Sequence, residues 1–255
     1  MEADFAHDYI LENKIPEKHW WFRARNNLIY IVLKKVSSFI EGGNKDILDV
    51  GSGYGQLFSI WQKFGNVYSV ENNKHYTDYQ KKYYKNVVVW SSEFPDKDSS
   101  KYTYDLICMC DFLEHVQDPD KILRQDYELL KNKGFLLITV PAYKWLWSYF
   151  DVRSGHVKRY LRKELISNVE EIGFKCIYST YFMTFLFIPA VIIRKFINSI
   201  KKKNNEFPGL EFASNGRFLN KLLYYIFNLE TLFIRRKIVM PFGLSILGVF
   251  QRSSD

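Results

Sequence analysis

The sequence has few cysteines, no long apolar run and no excess of positive charge in its first part. Its three cysteines, Cys108, Cys110 and Cys176, are odd in number and follow no disulfide or metal-binding spacing, so a reduced, cytosolic setting is expected. The uninterrupted apolar run from Phe185 to Ile193 is far shorter than the roughly 20 residues that a membrane-spanning helix needs. The acidic N-terminus lacks an apolar segment, so no secretory signal is expected.

The net charge of +8 comes from the last part of the chain. Residues 1–150 hold 19 Lys and Arg against 20 Asp and Glu, whereas residues 151–255 hold 17 against 8. Basic character that is confined to one region is typical of a docking surface for a phosphate-bearing substrate, nucleic acid or anionic lipid. The aromatic content of 18% is high, and aromatic residues beyond the needs of a core often line ligand sites or membrane interfaces.

Three glycines, Gly51, Gly53 and Gly55, lie in the first ten residues of the stretch DILDVGSGYGQLFSIWQKFGNVYSVENN, which begins at Asp46. Before them, the β-branched run from Ile47 to Val50 predicts a buried strand. After them, apolar residues at helical spacing predict a helix that stops at Gly65, and a second strand follows that ends on Glu71. This order is typical of a nucleotide site, because glycines admit a close ligand, a helix N-terminus offers free N–H groups and the acid suits a ribose diol.

Two ligand classes fit this unit, a dinucleotide and S-adenosylmethionine. The dinucleotide fingerprint G-x-G-x-x-G needs glycine at position 56, where the sequence has Gln56, and the third glycine comes one residue early, at Gly55. Asp49, at the end of the first strand, is unfavourable near a pyrophosphate but suits a ligand that carries an ammonium and a sulfonium. The turn therefore favours S-adenosylmethionine, and the alternative is a plain β-turn-α connection with incidental glycines.

Strands and helices alternate through the rest of the chain. A helix is predicted from Asn26 to Ile40, and another that starts at Asp118 is predicted to stop at Gly134. The alternation predicts an α/β fold with a parallel, doubly wound sheet.

Six stretches between residues 19 and 252 carry a family resemblance: HWWFRAR, LDVGSGYG, YDLICMCDFLEHVQDP, VPAYKWLWSYFD, GHVKRY and PFGLSILGVFQR. With them the chain resembles the class I S-adenosylmethionine-dependent methyltransferases, above all the bacterial enzymes often encoded among glycan-assembly enzymes. The resemblance implies a Rossmann-like sheet of seven strands whose last strand is antiparallel, with S-adenosylmethionine as cofactor and S-adenosylhomocysteine as product. In this interpretation one domain spans 1–255, with a lid and helix (1–43), a core (44–180 and 243–252) and a helical, basic, aromatic insertion between strands six and seven (181–242).

The resemblance also implies which strand ends hold the donor. Asp111 and Phe112, after the fourth strand, would flank its methionine part. Trp90, Ser91 and Ser92, at the end of the third strand, would lie near its adenine. A pair of serines is weak support by itself.

The segment HWWFRAR would fold over the donor as a lid. Arg25 would then bind the donor carboxylate, and Trp20 or Trp21 would pack on the donor; the alternative is a tryptophan pair that fixes the leader helix to the sheet. The predicted cofactor-binding residues are Trp20, Arg25, Asp49, Gly51, Ser52, Gly53, Glu71, Asn72, Ser91, Ser92, Asp111 and Phe112.

Methyl transfer to a hydroxyl needs collinear reactants and a group that removes a proton. His156 and Arg159 in GHVKRY would share a face if the segment is helical, and they could serve as general base and substrate anchor. The alternative is a capped turn with a solvated arginine. The resemblance implies that His115 lies on the floor of the acceptor pocket, as the other candidate base, whereas Glu114 is expected only to hydrogen-bond the following loop.

The same residues raise the question of a metal. Asp111-x-x-Glu114-His115 resembles the acid-x-x-Glu-His arrangement of certain magnesium-dependent O-methyltransferases, in which a later histidine, here His156, completes the site. The sequence has aspartate where glutamate is usual, which shortens the reach, and mixed oxygen and imidazole ligands do not select a metal by themselves. No metal is expected.

The insertion combines apolar segments with basic clusters. The clusters are Arg194-Lys195, Lys201 to Lys203 and Arg235 to Lys237, and the nearby aromatic residues include Phe185, Phe187, Tyr224 and Tyr225. Basic and aromatic residues together predict docking on an anionic membrane surface without crossing it. The alternative is that the aromatic residues pack on the sheet or on a second subunit.

The expected function is O-methylation of a small or lipid-linked, glycan-type or phosphorylated acceptor in cell-surface biosynthesis, at the cytosolic face of the membrane. A second hypothesis is methylation of RNA or another small molecule, although the basic residues alternate with apolar runs, which suits a membrane better than nucleic acid. A third is a non-catalytic scaffold that binds the donor. The glycines, Asp49, Glu71 and the two histidines argue for an active enzyme.

Overall fold

The structure is a computed structural model, and it describes residues 18–36, 43–94, 97–192, 194 and 216–253. The leader before residue 18 and the predicted cluster Lys201 to Lys203 lie outside the described residues, as does Lys195.

The described part of the chain contains one seven-stranded sheet. Its strands are β1 (Lys45–Val50), β2 (Gly65–Glu71), β3 (Val87–Ser91), β4 (Tyr104–Cys110), β5 (Leu130–Pro141), β6 (Phe174–Phe182) and β7 (Ser245–Arg252). The strand order is β3-β2-β1-β4-β5-β7-β6, with β1 to β5 parallel and β7 antiparallel to both β5 and β6. The predicted Rossmann-like sheet with an antiparallel last strand is confirmed.

Helices alternate with the strands. They are α1 (Trp20–Val36), α2 (Phe58–Trp61), α3 (Lys74–Tyr83), α4 (Pro119–Leu129), α5 (Tyr149–Arg153), α6 (Arg162–Glu170) and α7 (Arg217–Ile234). Local signals start two of them: the Asn73 side chain accepts the N–H of His75 at α3, and the Asp118 side chain accepts the N–H of Lys121 at α4. Short 3₁₀ turns lie at Ser99–Lys101, Leu113–His115 and Lys144–Leu146.

The sheet brings the predicted site residues to one edge. β1 pairs with β2 on one side and with β4 on the other, so the chain order reverses between β1 and β4. Ligands of open α/β sheets bind at such a point, outside the carboxyl ends of the strands. The residues that follow β1, end β2 and follow β4 are Gly51, Glu71 and Asp111, and all three therefore lie at this edge.

Two predicted element boundaries are wrong. α1 begins at Trp20, so most of HWWFRAR forms the first turns of the helix rather than a separate lid. α4 ends at Leu129 instead of near Gly134, because Leu130 is already extended and pairs with Tyr104 of β4. Leu130 is fully buried, and its burial in the sheet outweighs the local preference of the following residues for a helix.

α7, in the insertion between β6 and β7, packs on α1. The Asn220 side chain accepts the backbone N–H of Trp20 at 2.6 Å and so caps the N-terminus of α1 from a distant part of the sequence. About two turns further along, the Asn27 amide donates to Asn228 at 2.5 Å. Among the described residues, no helix is both long and apolar enough to cross a membrane.

Candidate active site

The glycine turn after β1 contains three glycines with positive φ, Gly51, Gly53 and Gly55. Gly51 has a φ of 67°, and a Cβ there would collide with the ring of Phe112. Gly53 has a φ of 55°, but a Cβ there would meet no atom within 4 Å. Gly51 is therefore required for packing inside the protein, whereas Gly53 faces open space into which a ligand can approach the backbone.

Gln80 of α3 holds the turn in place. Its amide nitrogen donates to the Ser52 hydroxyl at 2.8 Å and to the Gly53 carbonyl at 2.5 Å, and its amide oxygen accepts from the Ser69 hydroxyl. Gln80 is fully buried, and sequence reasoning missed it because a glutamine in an exposed-looking run of lysines and tyrosines gives no local signal. Ser52 is thus a structural partner as well as a predicted cofactor residue.

Glu71, at the end of β2, faces the same turn. One carboxylate oxygen accepts the N–H of Gly53 at 2.9 Å, and the other accepts the N–H of Asn73 at 2.9 Å. Each carboxylate oxygen has two lone pairs. Glu71 can therefore still accept hydrogen bonds from the two hydroxyls of a ribose while it keeps both backbone contacts. Asn72, the next residue, is exposed.

Asp49, at the end of β1, is nearly inaccessible to solvent. It is 2% exposed, and one carboxylate oxygen accepts the indole N–H of Trp61 at 2.8 Å. Burial raises the pKa of Asp49 to about 7, although the Trp61 hydrogen bond and the charge of Arg25 oppose this shift. A cationic ligand beside Asp49 would favour its ionised form.

Asp111 and Arg25 form an ion pair after β4. The Arg25 guanidinium lies 2.9 Å from one Asp111 oxygen, and the Thr139 hydroxyl donates to the other. Asp111 has a φ of 57°, which is uncommon for a residue other than glycine and is a conformation that clusters at functional sites. Arg25 is 4% exposed, and its Nε has no hydrogen-bond partner among the described residues.

The end of β3 supplies the next part of the edge. The Ser91 hydroxyl accepts from Thr77 at 3.0 Å, and the backbone N–H of Ser92 donates to the Glu71 carbonyl. The Ser92 hydroxyl is buried without a partner in the described structure. Trp90 stacks on Tyr68 with ring centroids 5.9 Å apart.

The two tryptophans of the expected lid have different surroundings. Trp20 lies edge-on to Phe227 of α7 at 6.4 Å, so its described contacts are to the insertion and not to the glycine turn. Trp21 lies under the Arg25 guanidinium, 5.0 Å from the ring centroid. Trp20 thus packs against α7, whereas Trp21 lies beside Arg25.

The acceptor side contains a histidine held by a carboxylate. His156 Nδ1 lies 2.9 Å from Asp151 Oδ1, and the backbone N–H of His156 also donates to the Asp151 carbonyl. His156 Nε2 points towards Glu114, whose nearest oxygen is 4.0 Å away, and the side chain is 17% exposed. A carboxylate that fixes one ring nitrogen leaves the other to accept a proton, as in hydrolase triads.

Arg159 does not have the role that its spacing predicts. It is 2% exposed, its Nε donates to Asp151 at 2.7 Å and its Nη1 donates to the Ala142 carbonyl at 2.8 Å. Arg159 is thus neither a solvated arginine nor an open anchor, because two of its donors are used inside the protein. Its charge instead holds Asp151 in place beneath His156. Asp151 was not among the residues predicted from sequence, because it lies five residues before His156 and eight before Arg159, and neither spacing indicates a contact.

Glu114 and His115 complete the cluster. Burial, and then the charge of Asp111, raises the pKa of Glu114 well above its usual range. Partial desolvation and the imidazole of His156 lower the pKa of His115, whose ring lies 5.0 Å from that of His156. Ligand atoms of Glu114, His115 and His156 lie within 4.8 Å of one another, a spacing that could hold a metal ion.

The comparison of the chain with protein families agrees with the geometry. Residues 23–179, more than half of the chain, match the family described as methyltransferase domain. No curated protein gives a significant sequence match.

Solved structures with the same fold include three methyltransferase structures. A SAM-dependent methyltransferase from Archaeoglobus fulgidus is 14% identical, with a TM-score of 0.52, over 89% of this chain and 94% of that chain. Coclaurine N-methyltransferase, bound to N-methylheliamine and SAH, is 16% identical, with a TM-score of 0.57, over 89% and 72%. The StiE O-MT segment is 13% identical, with a TM-score of 0.54, over 91% and 75%. The chain belongs to the methyltransferase domain family and is an S-adenosylmethionine-dependent methyltransferase.

Proposed function

We propose that the protein transfers a methyl group to a hydroxyl of a small or lipid-linked, glycan-type or phosphorylated acceptor in cell-surface biosynthesis, with His156 as general base. The observation that carries this proposal is the hydrogen bond between His156 Nδ1 and the buried carboxylate of Asp151. A hydroxyl must lose its proton as it attacks, whereas an unprotonated amine needs no base before attack. An oriented histidine therefore favours a hydroxyl acceptor.

The strand ends fit the donor. Gly53 leaves room beside the backbone, Glu71 can accept from the ribose, and the unpaired Nε of Arg25 and hydroxyl of Ser92 are buried polar atoms that a bound molecule can satisfy. When bound, S-adenosylmethionine supplies a methyl group on a sulfonium and leaves as a neutral thioether.

Side chains of the protein would remove the proton of the acceptor hydroxyl. His156 Nε2 accepts the hydroxyl proton while the acceptor oxygen forms its bond to the methyl carbon, and Asp151 stabilises the imidazolium through Nδ1. Burial disfavours the ionised form of Glu114 and so raises its pKa. The neutral form adds no negative charge that would compete with Asp151 for the imidazolium.

Exposed aromatic residues before α5 support a sugar-like acceptor. Trp145 is 58% exposed and Trp147 is 38% exposed, and both lie a few residues before Asp151. Tyr143 stacks on Tyr181 with ring centroids 5.2 Å apart and also contacts Trp145. Aromatic rings with an apolar face and a polar edge suit the apolar faces and hydroxyls of a sugar ring. A lipid-linked acceptor would bring the enzyme to the inner face of the membrane.

A labelled methyl donor tests the activity directly. The purified protein is incubated with the donor and with extracts of its own cells, and labelled products are identified by mass spectrometry. A labelled glycan-type or lipid-linked product with a new methyl ether is the expected result. Labelled RNA or a labelled amine would contradict the proposed acceptor, and donor binding with no labelled product would indicate a scaffold.

Replacement of Glu71 by alanine tests the donor site. We expect the Glu71→Ala protein to bind S-adenosylhomocysteine about 1–3 kcal/mol more weakly, because ribose hydroxyls and the Gly53 N–H lose their acceptor. Titration calorimetry measures the change, with NAD as a control ligand that neither protein should bind. Unchanged affinity for S-adenosylhomocysteine would remove Glu71 from the ribose site.

Removal of divalent ions tests the cluster of Glu114, His115 and His156. We expect a chelator to leave turnover unchanged, because a metal ligand must be ionised and burial disfavours the ionised form of Glu114. The measurement is the initial rate before and after chelation, with magnesium added back as a control. A loss of activity that magnesium restores would contradict the prediction.

A further inference from the structure

The helix α7 is apolar on its solvent side. Helical spacing of 100° per residue places six apolar residues on an arc of about 100°, and they are between 39% and 79% exposed. They are Phe218, Leu222, Tyr225, Leu229, Leu232 and Phe233. We call this surface the outer face of α7.

The opposite side of α7 is already occupied by the protein. Asn220 and Asn228 bond to α1, and the Arg23 guanidinium lies 4.3 Å from the centroid of the Tyr224 ring. Phe227 is fully buried and stacks on Phe182. A helix with apolar residues on two opposite sides needs a packing partner on both. Packing within the described structure provides a partner for only one side of α7.

The outer face continues onto the chain that follows β6. Phe185 lies 6.3 Å from Phe233, ring to ring, and Ile188 and Ile192 are 66% and 62% exposed. Residues 187–192 are helical, and residues 183–193 contain no charged side chain. Two neighbouring helical segments thus present one apolar surface.

Positive charge borders this surface. Arg217 and Lys221 are exposed at the start of α7, and Arg235, Arg236 and Lys237 are exposed at its end. Residues 216–244 contain one acidic residue, which is Glu230, and it is buried on the inner side, where it accepts the N–H of Phe185. Within residues 216–244, the border of the outer face therefore has cationic side chains at both ends and no exposed carboxylate.

We propose that the outer face of α7, together with Phe185, Ile188 and Ile192, docks the protein on an anionic lipid bilayer. Apolar side chains enter the headgroup boundary, and the arginines and lysines bind lipid phosphates around them. An apolar centre with a purely cationic border complements an anionic bilayer better than it complements a second copy of itself, whose border would carry the same charge. The inference extends the proposed function by naming the surface that would bring a lipid-linked acceptor to the site.

The structure corrects which aromatic residues face the lipid. Of the four aromatic residues named from sequence, Phe185 and Tyr225 lie on the proposed surface. Tyr224 faces α1 beneath Arg23, and Phe187 packs between Tyr143 and Phe242. Arg194 also points inward, since its guanidinium donates to the Leu146 carbonyl.

Vesicle sedimentation with three matched variants tests the proposal. The apolar variant carries Leu222→Gln, Tyr225→Gln and Leu229→Gln, and the charge variant carries Arg235→Gln, Arg236→Gln and Lys237→Gln. The control variant carries Lys81→Gln, Lys82→Gln and Lys85→Gln, which are exposed lysines near the C-terminal end of α3. All substituted residues are at the surface, so each variant is expected to fold.

We expect the wild-type and control proteins to sediment with vesicles of phosphatidylcholine and phosphatidylglycerol and to dissociate at high salt. The apolar and charge variants should each bind at least about 10-fold more weakly. The charge variant loses the usual contribution of cations near an anionic surface, and the apolar variant loses the side chains that enter the headgroup boundary. Failure of the wild type to bind, or equal losses in the control variant, would overturn the proposal. A dimer that only the apolar variant dissociates, seen by sedimentation equilibrium, would overturn it too and would assign the face to self-association.

Calorimetry with S-adenosylhomocysteine on the same samples separates this inference from the proposed function. None of the substituted residues is among those that form hydrogen bonds with the glycine turn. Donor-product binding without vesicle binding would reject the docking surface alone. Loss of donor-product binding in the wild type would reject the methyl-transfer proposal whatever the vesicles show.

Discussion

The His156→Ala protein should turn over its acceptor roughly 10²-fold or more slowly than the wild type, because it lacks the group that takes the hydroxyl proton. Its affinity for S-adenosylhomocysteine should not change, since the described side-chain contacts of His156 are to Asp151, Glu114 and His115. Steady-state kinetics with labelled donor measure kcat, and calorimetry measures the affinity. The rate of the variant should rise with pH, as hydroxide replaces the missing base.

His115→Ala is the matched control. His115 lies beside His156, but the hydrogen-bond partner described for its Nδ1 is the Gly155 carbonyl at 3.3 Å rather than a carboxylate. Its lowered pKa further weakens it as a base. A small effect on kcat is therefore expected. If His115→Ala gives the large loss and His156→Ala does not, the two histidines have the opposite roles.

Asp151→Asn should lower the free energy of unfolding by about 3–5 kcal/mol, the usual cost of removing one partner from a buried ion pair. Asp151 is fully buried, and its two oxygens accept from His156, Arg159 and both the N–H and hydroxyl of Ser148. Asparagine keeps the shape but offers one acceptor oxygen and no charge, so Arg159 stays buried without a counter-ion. Urea unfolding measures the change in midpoint at constant slope.

Asp78→Asn provides the control for this experiment. Asp78 pairs with Lys74 at 2.7 Å, but both side chains are largely exposed, so no measurable change is expected. Equal losses in the two variants would contradict the special role of Asp151.

The pH dependence of the Asp151→Asn effect has a defined direction. Burial alone would raise the pKa of Asp151, but hydrogen bonds from His156 and Arg159 lower it below the ordinary value of 3.8. The carboxylate therefore stabilises the fold fully above the unfolded pKa, and its contribution is lost as pH falls through the folded pKa. The difference between wild type and variant should persist from neutral pH to about pH 4 and then shrink.

The meeting of the predicted donor residues at one edge of the sheet could be expected from sequence, because these residues follow strands within short motifs. Gly51, Gly53 and Glu71 lie in one strand-turn-helix-strand unit, and Asp111 follows a strand whose apolar run is unmistakable. Parallel strands bring such termini together without further information. The glycine spacing and the position of Asp49 together distinguished S-adenosylmethionine from a dinucleotide.

The contacts among Asp151, His156 and Arg159 could not be predicted from sequence. Outside a helix, a given spacing along the chain implies no fixed distance between side chains. Asp151, His156 and Arg159 meet through a loop whose path depends on hydrogen bonds from Val157 to Glu114 and from Tyr160 to Pro141. The apolar pattern of α7 was visible, but a helix that is apolar all round does not reveal which side faces the protein. Only the packing of Asn220, Asn228 and Phe227 settles its orientation.

The hydrogen bond from Trp20 to Asn220 connects α7 to α1, and so connects the proposed bilayer surface to the helix that carries Arg25. α1 is held at its N-terminus by α7 and carries Arg25, which reaches Asp111 at the donor site. If contact of α7 with a bilayer multiplies the affinity for S-adenosylhomocysteine by some factor, the nucleoside must multiply the affinity for the bilayer by the same factor. The two coupling factors, each measured at equilibrium, must be equal however many states of the protein take part.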